Sequence, residues 1–178
     1  MGTQVVGGGL GGLCAASRAA ELGLKVAVLE RGTEPQYPCN SRYSGGILHI
    51  AQHTVQEPAD SLIKVMEEAT LGESDPALAR ALAEDARRAV EWLRAQGAKF
   101  IRVGQIVWQQ HVLAPPRPIT PGLDWKGRGP DVTLRTLEAN LVQRGGSVLR
   151  GTVGPALAES GGGRVGVQRE GVPGMAGA

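Results

Sequence analysis

The 178-residue chain has few of the residues on which several classes of protein depend. Aromatic side chains make up only 3% of it, and 19 lysines and arginines against 17 acidic residues leave a net charge of +2. Nucleic-acid surfaces need clustered basic residues to neutralise phosphates and aromatic rings on which bases stack. Nucleic acid is therefore not an expected partner.

Cysteine and long apolar runs are also scarce. Cys14 and Cys39 are the only two cysteines, and their spacing fits neither a metal site nor a disulfide framework. No apolar run reaches the ~18 residues of a membrane-spanning helix, and the N-terminal residues lack the pattern of a secretory leader. We therefore expect no metal, a reducing compartment and a soluble, cytoplasmic protein.

Glycine, in contrast, is abundant, with 27 residues. Gly7, Gly9 and Gly12 follow a short apolar run and have the spacing G-x-G-x-x-G. In this pattern the first glycine permits a tight turn, the second lets the backbone approach a diphosphate, and the third lets a helix pack closely on a sheet. The spacing predicts a strand, a turn and a helix from about Leu10 to Leu22, with a nucleotide diphosphate at the helix N-terminus.

The second strand of this unit is the apolar run Lys25–Glu30. Glu30 lies eighteen residues after Gly12, close to the spacing of about 20 at which an acidic residue accepts hydrogen bonds from ribose hydroxyls. A short connection of this kind gives a right-handed parallel βαβ unit. The carboxylate would repel a ribose 2′-phosphate, which disfavours NADP, but the fingerprint alone leaves FAD and NAD open.

The rest of the chain alternates helical and strand patterns. Asp75 and Pro76 predict a helix start, and residues 114–130, rich in proline and glycine, predict a long loop. The apolar face of the helix that begins at Asp75 is predicted to carry Leu78, Leu82, Ala86, Ala89 and Leu93. Further helices are predicted over 62–71 and 131–144, the second capped by Asp131, and a β-meander over 147–150, 155–159 and 164–168.

Together these blocks resemble the FAD-dependent oxidoreductases of the fumarate reductase and succinate dehydrogenase flavoprotein type. The resemblance rests on Val5–Leu13, on Val28–Gly32, on Asn40–Gly46 (Asn-Ser-Arg-Tyr-Ser-Gly-Gly), and on the helix and meander that end at Gly163–Val167. Within the family the Asn40–Gly46 block looks most like that of tricarballylate and 3-ketosteroid dehydrogenases.

The resemblance implies an α/β fold: a Rossmann-like FAD-binding domain with a parallel βαβ core and a β-meander, incomplete at its C-terminus. It implies residues 1–169 as a partial FAD-binding domain, with residues 60–130 as a helical and loop insertion. Residues 170–178 have no apolar period, which predicts a disordered tail. A histidine precedes the Gly-Gly loop where the flavin is covalently attached, whereas this chain has Tyr37-Pro38-Cys39-Asn40. We therefore expect non-covalent FAD.

The family's FAD contacts can be transferred to matching positions. The implied cofactor-binding residues are Gly7, Gly9, Leu10, Gly11, Gly12, Glu30, Arg31, Asn40, Ser41, Ser44, Gly45, Gly46, Val153 and Gly154. The glycine turn would face the diphosphate, Glu30 the adenosine ribose, and Ser44 the redox edge of the flavin. The adenine would lie beside the backbone of Val153 or Gly154.

The implied reaction is hydride transfer between a C–C bond of a carboxylate or steroid-like substrate and flavin N5. The family's substrate-gripping arginine and histidine lie beyond the end of this chain, so no catalytic residue can be assigned. Two alternatives stay open: a truncated FAD-binding remnant without turnover, and an NAD-binding dehydrogenase domain. An electron-transfer partner is not identified by any motif.

Three histidines are candidates for proton transfer because imidazole titrates near neutral pH. His49 and His53 follow the Gly-Gly loop at a spacing of four, which would place both on one side of a helix, and His111 lies in a variable loop region. The sequence places no carboxylate partner beside any of them. Arg117, Lys126 and Arg128 could steer an anionic substrate, although solvated loop charges are the simpler interpretation.

Overall fold

The computed structural model describes residues 2–118, 124–152, 157–160 and 164–167. The chain divides into two compact units. The first unit comprises Met1–Asn40 and Leu137–Ala178, and the second unit comprises Ser41–Thr136. The predicted tail over 170–178 lies outside the described residues.

The first unit is built on a three-stranded parallel sheet. Strand β1 (Gly2–Val6) leads into helix α1 (Leu10–Glu21), which returns the chain to β2 (Lys25–Leu29). The described strand order is β1-β2-β5, where β5 is Ser147–Leu149, and both pairings are parallel. The predicted α/β fold with a parallel βαβ core is confirmed.

The core of the first unit lies between the sheet and its helices. Its buried aliphatic side chains come from α1, from β2 and from the end of helix α5 (Gly129–Gln143), which begins in the second unit. Small residues on α1 allow close packing: Ala16 and Ser17 are fully buried, and Ser17 Oγ lies 3.5 Å from the carbonyl oxygen of Leu137. The buried apolar residues are Leu13, Ala16, Ala20, Val26, Val28, Leu29, Leu137 and Leu141.

The predicted β-meander differs in one respect. Strand β5 extends the parallel sheet beside β2, because a helix precedes it and brings the chain back in the parallel direction. Of the three predicted meander strands, the second and third, β6 (Leu157–Ser160) and β7 (Arg164–Val167), pair antiparallel. The prediction of three meander strands was therefore wrong for the first of them.

The second unit is mainly helical. It contains α2 (Asn40–Tyr43, whose first residue belongs to the first unit), α3 (Ala59–Ala69), α4 (Pro76–Ala95), a 3₁₀ turn at Val107–Gln109 and the first half of α5. Two short strands, β3 (Phe100–Ile101) and β4 (Val112–Leu113), pair antiparallel. The core cluster comprises Ile50, Val55, Leu62, Ala83, Ala86 and Val90.

Helix α4 starts as predicted, but its buried face matches the predicted one only at Ala86 and Leu93. The Asp75 carboxylate caps the helix by accepting the Ala77 and Leu78 N–H groups at 2.9 Å. The leucines at 78 and 82 are 71% and 54% exposed, whereas the buried face carries Ala79, Ala83, Ala86, Val90 and Leu93. Alanine lets neighbouring elements approach more closely than leucine does, and this packing decides which of two adjacent stripes is buried.

In the described part of the chain, no helix is both long enough and apolar enough to cross a membrane.

Candidate functional site

The glycine turn of the first unit lies between β1 and α1 and requires its glycines for steric reasons. Gly7 has φ +92°, a conformation that residues with a side chain rarely adopt. A Cβ on Gly12 would lie well under 3.0 Å from the Gly7 carbonyl oxygen. The absence of a side chain at Gly12 therefore lets α1 approach the turn. Val5 Cγ1 on β1 would lie 3.5 Å from the same Cβ, which agrees with the predicted close packing of the helix on the sheet.

The N-terminus of α1 is suited to an anion. Its N-cap, Gly9, makes no side-chain cap hydrogen bond, and the first turn contains no acidic residue. The first N–H groups of a helix lack intrahelical partners and carry the positive end of its dipole. A Cβ on Gly7 or Gly11 would meet no protein atom within 4 Å, so the space beside the turn is open to a ligand.

Glu30 follows β2 directly and is 6% exposed. Its Oε2 accepts the N–H of Gly8 at 2.8 Å, and its Oε1 accepts the N–H of Gly32 at 2.8 Å. The carboxylate is thus held against the glycine turn by backbone donors on both sides. A carboxylate has about four acceptor positions, so these two hydrogen bonds leave capacity for ribose hydroxyls.

Six of the predicted residues of the first unit therefore come together at one place. Gly7, Gly9, Leu10, Gly11 and Gly12 form the turn and the first turn of α1, and Glu30 is bonded to the same loop through Gly8. Arg31 and Asn40 are exposed. Val153 and Gly154 lie outside the described residues. The diphosphate and ribose of FAD fit the residues present, because the turn is open, anion-favouring and bordered by a fixed acceptor.

The second unit contains the remaining predicted residues in a compact loop. The Ser44 hydroxyl donates to the Ser41 carbonyl oxygen at 2.8 Å and lies 3.3 Å from the Gly46 amide nitrogen, which donates to it. Gly46 has φ +72°, and a Cβ there would lie 2.9 Å from Pro130 Cγ. Ser41, Ser44, Gly45 and Gly46 are thus brought together, with Ser44 and Gly45 exposed.

A small cavity of about 240 Å³ opens beside this loop. Its wall is mainly apolar and includes Gly45, Ile47, Val112 and Pro116, and Arg117 is the one charged residue among the described residues that line it. The Arg117 guanidinium donates to the Tyr43 carbonyl oxygen at 2.6 Å. Cavities that enclose a drug-sized ligand have about 300–1,000 Å³, so this one can hold only part of such a molecule.

Sequence reasoning missed the buried ion pair beside the loop. Arg42 donates to Asp131, and both side chains are fully buried. The second carboxylate oxygen of Asp131 accepts the Gly127 N–H at 2.8 Å and lies 3.3 Å from Arg135 Nε. Helix α5 begins at Gly129, two residues earlier than predicted, so Asp131 lies in its first turn. The available signal in the sequence was Arg42, the one charged residue in the Asn40–Gly46 block.

Tyr37 is the second missed residue. It is fully buried, and its hydroxyl donates to the Gly8 carbonyl oxygen at 2.7 Å. The sequence carries no local sign of this contact, because 29 positions separate the two residues.

The candidate histidines do not share a helical face. Residues 49–53 form a tight turn in which Ile50 and His53 bridge, with positive φ at Ala51 and Gln52, so the predicted helical spacing was wrong here. His53 Nδ1 lies 3.0 Å from Glu57 Oε1. The His53 hydrogen bond is the main cause that lowers the pKa of the Glu57 carboxyl.

His111 is 5% exposed, and its Nδ1 has no hydrogen-bond partner among the described residues. Burial, and secondly the charge of Arg94, lower the pKa of the imidazole below its ordinary value. The folded state therefore binds fewer protons than the unfolded state just below pH 6.5, and stability falls as the pH falls through that value.

We expect His111→Gln to lose less stability than the original chain between pH 7.5 and pH 5.5. Urea unfolding at both pH values measures the difference. His49→Gln is the matched control, since His49 is exposed, with its ring centre 5.1 Å from that of Trp108 and the two rings tilted by 60°. An identical pH dependence in His111→Gln and the original chain would contradict the assignment.

Comparison with known proteins identifies relatives of this fold. A family model described as an FAD binding domain matches residues 4–153. A curated fumarate reductase (cytochrome) from Shewanella frigidimarina is 32% identical over 108 residues, which cover 57% of this chain and 19% of that protein. The chain thus spans about a fifth of the length of this relative.

Two solved structures share the fold. A 3-ketosteroid-Δ4-(5α)-dehydrogenase from Rhodococcus jostii RHA1, in complex with 4-androstene-3,17-dione, has a TM-score of 0.71 at 19% identity, covering 94% of this chain and 41% of that one. An open flavocytochrome c3 fumarate reductase has a TM-score of 0.63 at 22% identity, with 89% and 28% covered. The predicted resemblance to the fumarate reductase type is confirmed.

Proposed function

Because this chain belongs to the family of FAD-binding domains, we propose that it is the cofactor-holding part of a flavin-dependent oxidoreductase. The observation that carries the proposal is the glycine turn with the buried Glu30 carboxylate bonded to its Gly8 N–H. The family match selects FAD over NAD, which the glycine fingerprint alone left open. We also propose that residues 1–169 form a partial FAD-binding domain, with residues 60–130 as an insertion in it.

We propose the following individual contacts, unit by unit. In the first unit, the N–H groups at the start of α1 hold the diphosphate, Glu30 accepts the ribose hydroxyls, and Arg31 and Asn40 border the site. In the second unit, Ser41, Ser44, Gly45 and Gly46 contact the flavin, and in the chain after β5 Val153 and Gly154 contact the adenine. FAD is held without a covalent bond.

The substrate is a carboxylate or a steroid-like molecule, and the reaction is hydride transfer at a C–C bond. FAD supplies the hydride-accepting ring when it is bound, and the protein positions it. The apolar cavity beside Gly45, with its one guanidinium, supports a substrate that combines an apolar body with an anionic or carbonyl group. The steroid named with the Rhodococcus jostii structure is consistent with this class.

The alternative is a truncated FAD-binding remnant without turnover. Flavin that stays with the protein after desalting would show that the chain binds FAD. Reduction of a redox dye in the presence of carboxylates or steroids would then show that the protein is an enzyme, and no dye reduction would indicate a remnant. We expect flavin absorbance to survive desalting and to be released by acid precipitation. A folded sample that retains no flavin would rule out both the enzyme and the FAD-binding remnant.

Glu30→Gln tests the ribose contact directly. The amide nitrogen of glutamine cannot accept the N–H of Gly8 or Gly32, and the charge that favours ribose hydroxyl donors is lost. We expect the dissociation constant of FAD to rise about tenfold or more, as measured by calorimetry. Glu34→Gln is the control, because Glu34 is exposed in the same loop. Equal affinities of the two variants would refute the role of Glu30.

A further inference from the structure

Tyr37 fills the space that two glycines leave open. Its side chain is fully buried in the first unit. A Cβ on Gly8 would fall within 3.0 Å of both the Tyr37 hydroxyl and Cζ, and a Cβ on Gly32 would fall within 3.0 Å of Tyr37 Cβ. The tyrosine therefore contacts the glycine turn at Gly8 and the loop after β2 at Gly32.

Gly8 is held from two sides. Its N–H donates to Glu30 Oε2 at 2.8 Å, and its carbonyl oxygen accepts the Tyr37 hydroxyl at 2.7 Å. The Arg150 guanidinium lies 5.9 Å from the centre of the Tyr37 ring. The orientation of the backbone at Gly8 is therefore set by two side chains that come from outside the glycine turn.

The Tyr37 hydrogen bond also sets the direction of the next amide. The peptide bond between Gly8 and Gly9 is trans, and in a trans peptide the C=O and N–H bonds point in opposite directions. Because the Gly8 carbonyl points at Tyr37, the Gly9 N–H points away from Tyr37. Gly9 is the N-cap of α1, where a diphosphate is favoured by the helix dipole.

We propose that Tyr37 is a positioning residue for phosphate binding: its hydroxyl fixes the Gly8–Gly9 peptide so that the Gly9 N–H faces the diphosphate. This inference rests on the proposed function, because it assumes that the turn binds a nucleotide. Without the hydroxyl the peptide loses the hydrogen bond that holds its orientation, while the ring still fills the space beside both glycines. Removing the hydroxyl should therefore weaken the binding of the phosphates and leave the binding of the nucleoside unchanged.

Tyr37→Phe in the full chain, tested with ADP and with adenosine, separates these contacts. We expect ADP affinity to fall about tenfold, equivalent to about 1.4 kcal/mol, while adenosine affinity stays within twofold. Calorimetry measures ADP binding, and titration followed by NMR measures the weaker adenosine. Both binding measurements are made at a temperature well below the midpoint of thermal unfolding of each variant. Tyr43→Phe is the matched control, since it removes the chain's other tyrosine hydroxyl, in the second unit.

Other outcomes overturn the inference in distinguishable ways. If Tyr37→Phe binds ADP as tightly as the original chain, the positioning role fails and the proposed function stands. If ADP and adenosine weaken equally, Tyr37 supports the whole site and does not direct one amide. If the original chain binds neither FAD nor ADP, the proposed function itself fails, and this inference fails with it.

Discussion

Gly12→Ala is expected to destabilise the first unit by about 3 kcal/mol or more and to abolish FAD retention. The added Cβ would overlap the Gly7 carbonyl oxygen and lie 3.1 Å from the Gly7 carbonyl carbon. Both are backbone atoms, so no side-chain rotation can relieve the overlap, and α1 or the turn must move. Overpacking that shifts the backbone costs about 1–3 kcal/mol and occasionally more, and the shift displaces the donors at the start of α1. Urea unfolding and flavin retention after desalting measure the two effects.

Gly11→Ala is the control for Gly12→Ala. It makes the same chemical change at the neighbouring position of the same helix turn, but its Cβ would meet nothing within 4 Å. Alanine is about 1 kcal/mol more favourable than glycine inside a helix, so stability should stay equal or rise. If the two variants lost the same stability, the close approach of α1 to the turn would be refuted.

Arg42→Met is expected to destabilise the second unit by about 3–5 kcal/mol. The change keeps an unbranched side chain but leaves the Asp131 carboxylate fully buried without the guanidinium that neutralises it. Removing one partner of a buried ion pair lowers the free energy of unfolding by about 3–5 kcal/mol, because the remaining charge stays desolvated. The Gly127 N–H and the half-exposed Arg135 still contact Asp131 and offset part of the loss. Urea unfolding at pH 7.5 gives the free energy of unfolding.

Arg88→Ala provides the comparison for this charge effect. Arg88 pairs with Asp85 at 2.6 Å on the surface of α4, where the two side chains are 77% and 57% exposed. Exposed pairs of this kind contribute at most about 1 kcal/mol. A loss in Arg42→Met as small as that in Arg88→Ala would mean that Asp131 is hydrated or neutral once Arg42 is removed.

The parts of the fold that sequence predicted are those that depend on nearby residues. The β1-α1-β2 unit follows from glycine spacing and two apolar runs within the first 30 residues, and its parallel strand pairing is confirmed. The start of α4 follows from Asp75 and Pro76, whose cap geometry is complete within four residues. The contact of Gly12 with Gly7 was predictable because the pattern encodes a steric limit.

The parts that sequence did not predict depend on distant partners. The Tyr37 contact with Gly8 spans 29 positions, and the Arg42 contact with Asp131 spans 89. Neither leaves a periodic signal, because only one residue on each side takes part. The predicted buried face of α4 was wrong at Leu78, Leu82 and Ala89, because an alanine stripe and a leucine stripe lie side by side and only the packed neighbours decide between them.

The position of β5 in the sheet has a consequence for how the chain folds. Strands β1 and β2 are joined by α1 alone, so their pairing closes a short loop, whereas β5 joins β2 only after residues 30–146. The entropy of closing a flexible loop of that length is about 4 kcal/mol plus a constant. Non-local pairings of this kind slow folding. We therefore expect the β1-α1-β2 unit to assemble early. Strand β5 should pair with β2 late, after the second unit has folded and reduced the length of flexible chain between these two strands.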